Sequence, residues 1–247
     1  MLKIENTEVI GWEHAIRGMR NPKNSWEKSD SEVSICECEC WPHDVKKSFT
    51  CLGSNDLDLM TRLRNAGTDH RKFMRMITVY LDITAPLYWW KEFDTYKVGT
   101  VANSCSTMHK LTAKEFELDD FSHEHLIVAS INSLKRTIEE LNACREAYVS
   151  DEIKDPDWKK EIWWQMIQLL PSSYNQKRTV MLNYEVLANI YKSRRNHRLD
   201  EWAEHKQIDS TSQALYNRDP EYFGFCDWIK TLPYSELITG KEGKADV

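Results

Sequence analysis

The chain has 247 residues, of which 41% are hydrophobic and 29% charged, and its net charge is −6. This composition predicts a globular protein with a packed core and argues against a general nucleic-acid binder. The sequence has no apolar run long enough to cross a bilayer. The seven cysteines are odd in number, and the first residues carry charges where an export signal needs an apolar core, so we expect reduced thiols in the cytoplasm.

Periodicity and turn signals define the elements of the first half of the chain. Ser54 or Asn55 is placed to cap a helix that Gly67 ends. Pro86 follows a run of β-branched and aromatic residues and suits the first turn of a helix. The predicted elements are strands at residues 2–10, 33–41 and 76–84, helices at residues 12–19, 56–66 and 86–93, and a loop of small polar residues at 99–108.

The clearest helix of the second half is predicted at residues 125–148. Its apolar residues recur three and four positions apart and form one stripe: Ile127, Ile131, Leu134, Ile138 and Leu141. The other predictions are helices at 156–170, 184–194 and 221–231 and a strand at 177–182, with Asn183 placed to cap the helix that begins at residue 184.

No repeat, linker or low-complexity tract divides the chain. We therefore predict an α/β (α+β) fold, with a single mixed domain at residues 1–238, long helices packed on a sheet, and a flexible tail at residues 239–247. The alternating Cys36, Cys38 and Cys40 near His43 allow a metal site. Alternation also explains them as one buried face of a strand, which is the interpretation we favour.

Three other residues could carry chemistry. Cys105 lies in a polar segment and is a candidate nucleophile or a packed thiol. His70 follows a helix stop and either satisfies a turn carbonyl or contacts a ligand. Arg194 ends a helix among other cations and either stabilises the helix dipole or binds a phosphate. Because its helix neighbours are apolar, we expect Arg194 to be partly buried.

Two blocks of the sequence resemble the flavin-dependent thymidylate synthases. In the first block, Asp69–His70 resembles the Gly-His of the family, residues 76–84 its following strand, and Pro86 the start of its next helix. Asn103 and Ser106 fall on an Asn and a Ser that follow the Arg-His-Arg signature of the family. The signature itself falls on Tyr96, Lys97 and Val98.

The second block begins at Leu170–Pro171, which matches a Leu-Pro of the family. Residues 179–183 resemble its Thr-x-Asn approach to a helix, with one extra residue here. Leu187, Asn189 and Arg194 fall on the Leu, Asn and Arg of that helix. The family arginines and glutamate at other positions are replaced by Tyr96, Val98, Ser104, Met108 and Ile167.

The resemblance implies a methyltransferase that methylates dUMP, or a related pyrimidine nucleotide, with methylene-tetrahydrofolate and reduced FAD, and with NADPH as the reductant. It also implies a homotetramer with neither membrane nor nucleic-acid partners. The residues it implies for flavin binding are His70, Lys97, Asn183, Asn189, Arg194 and Arg198. Those it implies for nucleotide binding are Asn103, Ser104, Cys105, Ser106 and Arg194. Those it implies for catalysis are Ser106 and Arg194.

Two alternatives remain at the sequence level. The replaced arginines suit a non-catalytic relative, an oligomeric module that binds a nucleotide or flavin. A helical interaction protein would instead use the apolar stripe of residues 125–148 as a partner face, and this alternative predicts that the stripe is exposed.

Overall fold

The computed structural model describes residues 2–35, 48–108, 110–152, 154–205 and 223–240. The Cys36, Cys38 and Cys40 face, with His43, lies outside the described residues, and so does most of the predicted tail, of which Thr239 ends a helix and Gly240 follows it. Within these ranges no helix is long and apolar enough to span a membrane.

The described residues form a mixture of strands and helices, as predicted. The strands are β1 Lys3–Ile10, β2 Glu32–Ile35, β3 Ser48–Cys51, β4 Thr78–Pro86, β5 Val101–Ser104 and β6 Asn175–Asn183. The helices are α1 Trp12–Arg20, α2 Ser54–Asn65, α3 Leu87–Phe93, α4 Val128–Val149, α5 Pro156–Leu169, α6 Tyr184–Arg194, α7 Phe225–Thr231 and α8 Glu236–Thr239.

Four strands form one sheet in the order β1-β4-β6-β5, and β2 pairs with β3 in antiparallel fashion. The chain divides into two compact units. The first unit is Met1–Thr7, Leu81–Lys97 and Val101–Val180, and the second unit is Glu8–Tyr80, Val98–Thr100 and Met181–Val247. The single domain at residues 1–238 stays a prediction.

The core of the first unit is built on α4 and α5. Leu134, Ile138 and Leu141 of α4 are buried in a cluster with Met166 of α5. A second group, in α3, buries Trp89, Trp90 and Phe93. Because Leu134, Ile138 and Leu141 are covered within the chain, the prediction that this stripe is an exposed partner face is wrong there.

Within the first unit, residues of β4 and β6 share a polar network. The Asp82 carboxylate accepts hydrogen bonds from Thr179 Oγ1 at 2.6 Å and from Asn6 Nδ2 at 2.9 Å, and Lys177 Nζ lies 3.1 Å away. Hydrogen bonds from Thr179, which has the largest effect, and from Asn6 and Lys177 lower the pKa of Asp82 to about 2. This network fixes the register of two strands distant in sequence.

The second unit buries a polar group as well as an apolar core. Met60, Met74 and Tyr184 belong to its apolar core. Arg20 and Asp56 are also buried, with Arg20 Nε 2.7 Å from Asp56 Oδ1. A buried pair of this kind needs further hydrogen bonds to offset its desolvation.

Three local predictions are wrong: a helix cap, a helix start and a loop. The cap of α2 comes from Asp30, which accepts from the N–H groups of Asn55 and Asp56 at 2.9 and 3.1 Å, while the N-cap position is held by Gly53. Helix α4 begins at Val128 instead of residue 125. Residues 101–104, predicted to be a loop, form β5 because they pair at the edge of the sheet.

Candidate functional site

Helix α6 of the second unit carries two of the predicted flavin residues, Asn189 and Arg194, and a third, Asn183, is its N-cap. It begins at Tyr184, and Asn183 Oδ1 accepts a hydrogen bond from Val186 N at 3.0 Å, so the predicted cap is confirmed. A Cβ at Gly99, whose φ is +77°, would lie 2.8 Å from Asn183 Nδ2. A glycine therefore allows the backbone at residue 99 to approach this cap closely.

Replacing Asn183 with alanine is expected to lower the free energy of unfolding by about 1 kcal/mol, because the first turn of α6 loses its cap. Urea unfolding, followed by fluorescence, measures the change. Asn183→Asp keeps a cap oxygen and serves as the control, so an equal loss in both variants would contradict a capping role.

The turn that carries His70 is joined to α6 by its neighbour, Arg71. His70 is exposed, and its N–H donates to Gly67 O at 3.1 Å. Arg71 Nη2 donates to Glu185 Oε1 at 3.0 Å and to Asn189 Oδ1 at 3.3 Å. The structure thus brings the His70 turn to Asn189 through Arg71.

Arg71 and Glu185 were not predicted from the sequence as site residues. Arg71 Nε lies 2.8 Å from Glu185 Oε2 in an ion pair whose N–H is not aligned for a hydrogen bond, and the two side chains are 16% and 8% exposed. The sequence feature that could have revealed this pair is a glutamate on the apolar face of α6, because a buried carboxylate is almost always paired with a cation. The sequence separation of 114 residues gives no sign of which cation that is.

Arg194, at the end of α6, is half-buried as expected. Its Nη1 lies 2.9 Å from His197 Nε2, and its guanidinium carbon lies 5.2 Å from the ring centre of Trp202. Trp202 is fully buried. Stacking on an indole and a hydrogen bond to an imidazole hold a guanidinium in one orientation. Arg198, the other predicted cation here, is exposed.

The predicted nucleotide residues belong to the first unit. Asn103 and Ser104 are exposed on β5, and Cys105 is exposed directly after it. Cys105 N donates to Lys177 O at 2.9 Å. Ser106 is half-buried, and its Oγ accepts from Met108 N at 3.2 Å.

The backbone on both sides of Cys105 is therefore fixed by β6. Cys105 O accepts from Gln176 Nε2 at 2.8 Å, and Gln176 is buried. Lys97, also in the first unit, is exposed. Among the described residues, no group of three or more His, Cys, Asp or Glu side chains is arranged to hold a metal ion.

No family model matches the sequence, and no curated protein matches it. Solved structures do match. A thymidylate synthase X (ThyX) from Helicobacter pylori with FAD and dUMP aligns with a TM-score of 0.57 at 14% identity, over 98% of each chain. A second Helicobacter pylori structure, a flavin-dependent thymidylate synthase ThyX complexed with FAD and dUMP, aligns with a TM-score of 0.56 at 15% identity, over 97% of this chain and 98% of that chain.

This is the fold of the flavin-dependent thymidylate synthases. The likeness covers nearly the whole chain, including both sequence blocks. At 14% identity the likeness shows the fold.

The positions that depart from the flavin-dependent thymidylate synthase pattern have structural surroundings of their own. Val98, on the arginine signature, is 92% exposed, and Tyr96 is half-buried. Ile167 packs against the α4–α5 core of the first unit. Ile167 is thus a packing residue in this chain, whereas Val98 leaves an apolar side chain in solvent where the resemblance places a cation.

Proposed function

We propose that this protein is a flavin-dependent thymidylate synthase-like methyltransferase. It uses methylene-tetrahydrofolate and reduced FAD to methylate dUMP or a related pyrimidine nucleotide, with NADPH as reductant. The observation that supports the proposal is the fold, because the two Helicobacter pylori structures that share it over nearly the whole chain are complexes with FAD and dUMP. The homotetramer is part of the same proposal.

The proposed flavin residues are His70, Lys97, Asn183, Asn189, Arg194 and Arg198. Asn183 uses its Oδ1 in the helix cap, so its Nδ2 is the group that would donate to the flavin. The flavin supplies the hydride, and the protein supplies binding and orientation. Arg194 is suited to an anionic group because Trp202 and His197 orient its guanidinium beforehand.

The residues proposed for the nucleotide are Asn103, Ser104, Cys105, Ser106 and Arg194. The amide and hydroxyl side chains of this segment offer both donors and acceptors, which a pyrimidine base and a ribose require. Of these residues, we assign Ser106 and Arg194 to the catalytic site, as the groups that contact the reacting base. Cys105 has no nucleophilic role in this proposal.

The test is a flavin titration followed by an activity assay. We expect the purified protein to bind FAD, detected by its absorbance bands, and to release tritium from dUMP labelled at C5 when methylene-tetrahydrofolate and NADPH are present. Arg194→Ala is expected to weaken FAD binding by about 10- to 150-fold, because it removes a charge-assisted hydrogen bond worth ~1.5–3 kcal/mol. Lys192→Ala removes an exposed cation from the same helix turn and should leave binding unchanged.

The second candidate is a non-catalytic relative that binds a nucleotide or flavin. The exposed Val98 favours it, because an apolar side chain in solvent cannot hold a phosphate. This candidate predicts FAD or dUMP binding without tritium release. A protein that binds neither ligand at any concentration would overturn both candidates.

A further inference from the structure

The side chain of Gln176 hydrogen-bonds the backbone of the segment proposed for the nucleotide. Gln176 lies on β6 and is 7% exposed, and its Nε2 donates to Cys105 O at 2.8 Å. That oxygen belongs to the peptide group that joins Cys105 to Ser106, and a peptide group is planar. Gln176 therefore fixes the plane from which the Ser106 side chain begins, one residue beyond the hydrogen bond from Cys105 N to Lys177 O.

Arg178 determines which way the Gln176 amide faces. Its Nε donates to Gln176 Oε1 at 3.0 Å. A guanidinium has donors and no acceptor, so the amide atom beside Arg178 has to be the oxygen, and the NH2 group is turned toward Cys105 O. With the amide reversed, two donors would face each other at Arg178 and two acceptors at Cys105. The hydrogen bond from Arg178 thus selects the amide orientation that holds the Cys105 carbonyl.

Helix α3 and its C-cap hold Gln176 and Arg178 in place. Trp90 Nε1 donates to Gln176 O at 2.9 Å, and the guanidinium carbon of Arg178 lies 4.2 Å from the ring centre of Trp90. Asp94, the C-cap of α3, accepts from Arg178 Nη1 at 2.8 Å. The Arg178 side chain is 15% exposed. A guanidinium that stacks on an indole and donates to both an amide and a carboxylate is held in one geometry.

The two faces of β6 make different contacts. Because side chains alternate along a strand, Gln176 and Arg178 share one face, and Lys177 and Thr179 share the other. The second pair contacts the carboxylate of Asp82 on β4, whereas the first pair leads to the nucleotide segment. A substitution on the second face is therefore a matched control for one on the first.

We propose that Gln176 and Arg178 are positioning residues for the nucleotide segment, Asn103–Ser106. Arg178 acts through the Gln176 amide, and Gln176 acts on the peptide group that carries Ser106. This inference rests on the proposed function and deepens it, because a segment that is ordered before the nucleotide arrives loses less conformational entropy on binding.

The primary test measures amide hydrogen exchange of Cys105 by NMR and needs no ligand. Gln176→Met keeps the length of the side chain and removes both amide atoms. Because one hydrogen bond to the segment is lost, the Cys105 N–H, which donates to Lys177 O, should exchange about 5-fold faster. Arg178→Met keeps an unbranched stem over Trp90 and removes the donors, so the exchange rate should rise about 2- to 5-fold.

The double variant tests whether Arg178 acts through Gln176. In the Gln176→Met background, Arg178→Met should add nothing to the exchange rate, because the amide that it orients is gone. Thr179→Val is the matched control: it removes a hydrogen bond to Asp82 on the other face of β6 and should change the Cys105 exchange rate by less than about 2-fold. Additive effects of the two methionine substitutions, or an equal rise in Thr179→Val, overturn the proposal.

A second substitution keeps the proposal testable if Gln176→Met does not fold. Gln176→Glu keeps an acceptor for Arg178 and has no donor for Cys105 O. It is expected to raise the exchange rate of the Cys105 N–H in the same way, and an unchanged rate would overturn the proposal.

A binding comparison separates this inference from the proposed function. In Gln176→Met and in Arg178→Met, the affinity for dUMP should fall about 5-fold, while the affinity for FAD is unchanged. If the parent protein binds neither ligand, the proposed function fails, and the exchange rates alone decide whether the two residues hold the segment. If dUMP binds equally well to all variants, or if FAD affinity falls as much as dUMP affinity, the positioning role fails and the proposed function stands.

Discussion

Replacing Asp56 with alanine is expected to lower the free energy of unfolding by about 3–5 kcal/mol, because the change leaves the buried Arg20 without its counter-ion. The two side chains are 4% and 0% exposed. Asp56 Oδ2 also accepts from Ser29 Oγ at 2.7 Å and from Ser31 Oγ at 2.6 Å. The substitution therefore leaves Arg20 and the two serine hydroxyls without this acceptor and loosens the segment that connects α1 to β2.

Urea unfolding with fluorescence detection measures this loss. Asp58→Ala is the matched control, because Asp58 lies in the same helix and its ion pair with Arg62 is 65% exposed on both sides. An exposed pair of this type contributes little, so we expect a change within about 0.5 kcal/mol. A similar small change for Asp56→Ala would show that the buried network adds no stability.

The same network predicts a pH dependence. Burial raises the pKa of Asp56, but hydrogen bonds from Ser31, Ser29 and Arg20 outweigh it and hold the pKa below the ordinary value of 3.8. Because the folded-state pKa is lowered, the stabilisation is complete above that value and is lost as the pH falls through the folded pKa. The stability difference between the parent protein and Asp56→Ala should therefore narrow in acid.

Replacing Trp90 with alanine is expected to lower the free energy of unfolding by about 3–5 kcal/mol, because removing a large buried ring leaves a cavity in the first unit. Trp90 is 1% exposed, and its ring centre lies 5.2 Å from that of Phe93. Its Nε1 donates to Gln176 O at 2.9 Å, and the Arg178 guanidinium lies 4.2 Å from its ring centre. The substitution thus removes apolar contacts and a hydrogen bond from α3 to β6.

Thermal unfolding of Trp90→Ala, compared with Trp164→Ala, tests this expectation. Trp164 is 44% exposed on α5, so its removal exposes little new surface and should cost less than about 1 kcal/mol. Equal losses in the two variants would contradict the assignment of Trp90 to the core.

The elements that the sequence predicts well are those with local causes. Helix α6 and its Asn183 cap are confirmed because the cap and the buried face lie within a dozen consecutive residues. Strand β4 is confirmed because its β-branched residues run up to a proline. The buried part of the α4 stripe likewise follows from spacing alone.

What the sequence could not reveal depends on distant partners. The cap of α2 comes from Asp30, which accepts a hydrogen bond from the N–H of Asn55, 25 residues away. Residues 101–104 contain little that favours a strand and form β5 because they pair with the sheet. The partner of Glu185 lies 114 residues away. The roles of His70, Asn103, Ser106 and the other site residues in ligand binding stay predictions.

The order of the main sheet has a consequence for how the chain is made. Strand β4 is an inner strand, yet its neighbour β6 is joined to it by contacts 97 residues apart, as between Asp82 and Thr179. During synthesis on the ribosome, β4 must therefore wait with one side unpaired until residue 183 has emerged. In that interval the nascent chain has an unpaired strand edge to which another chain could add, the kind of exposure that chaperones guard against.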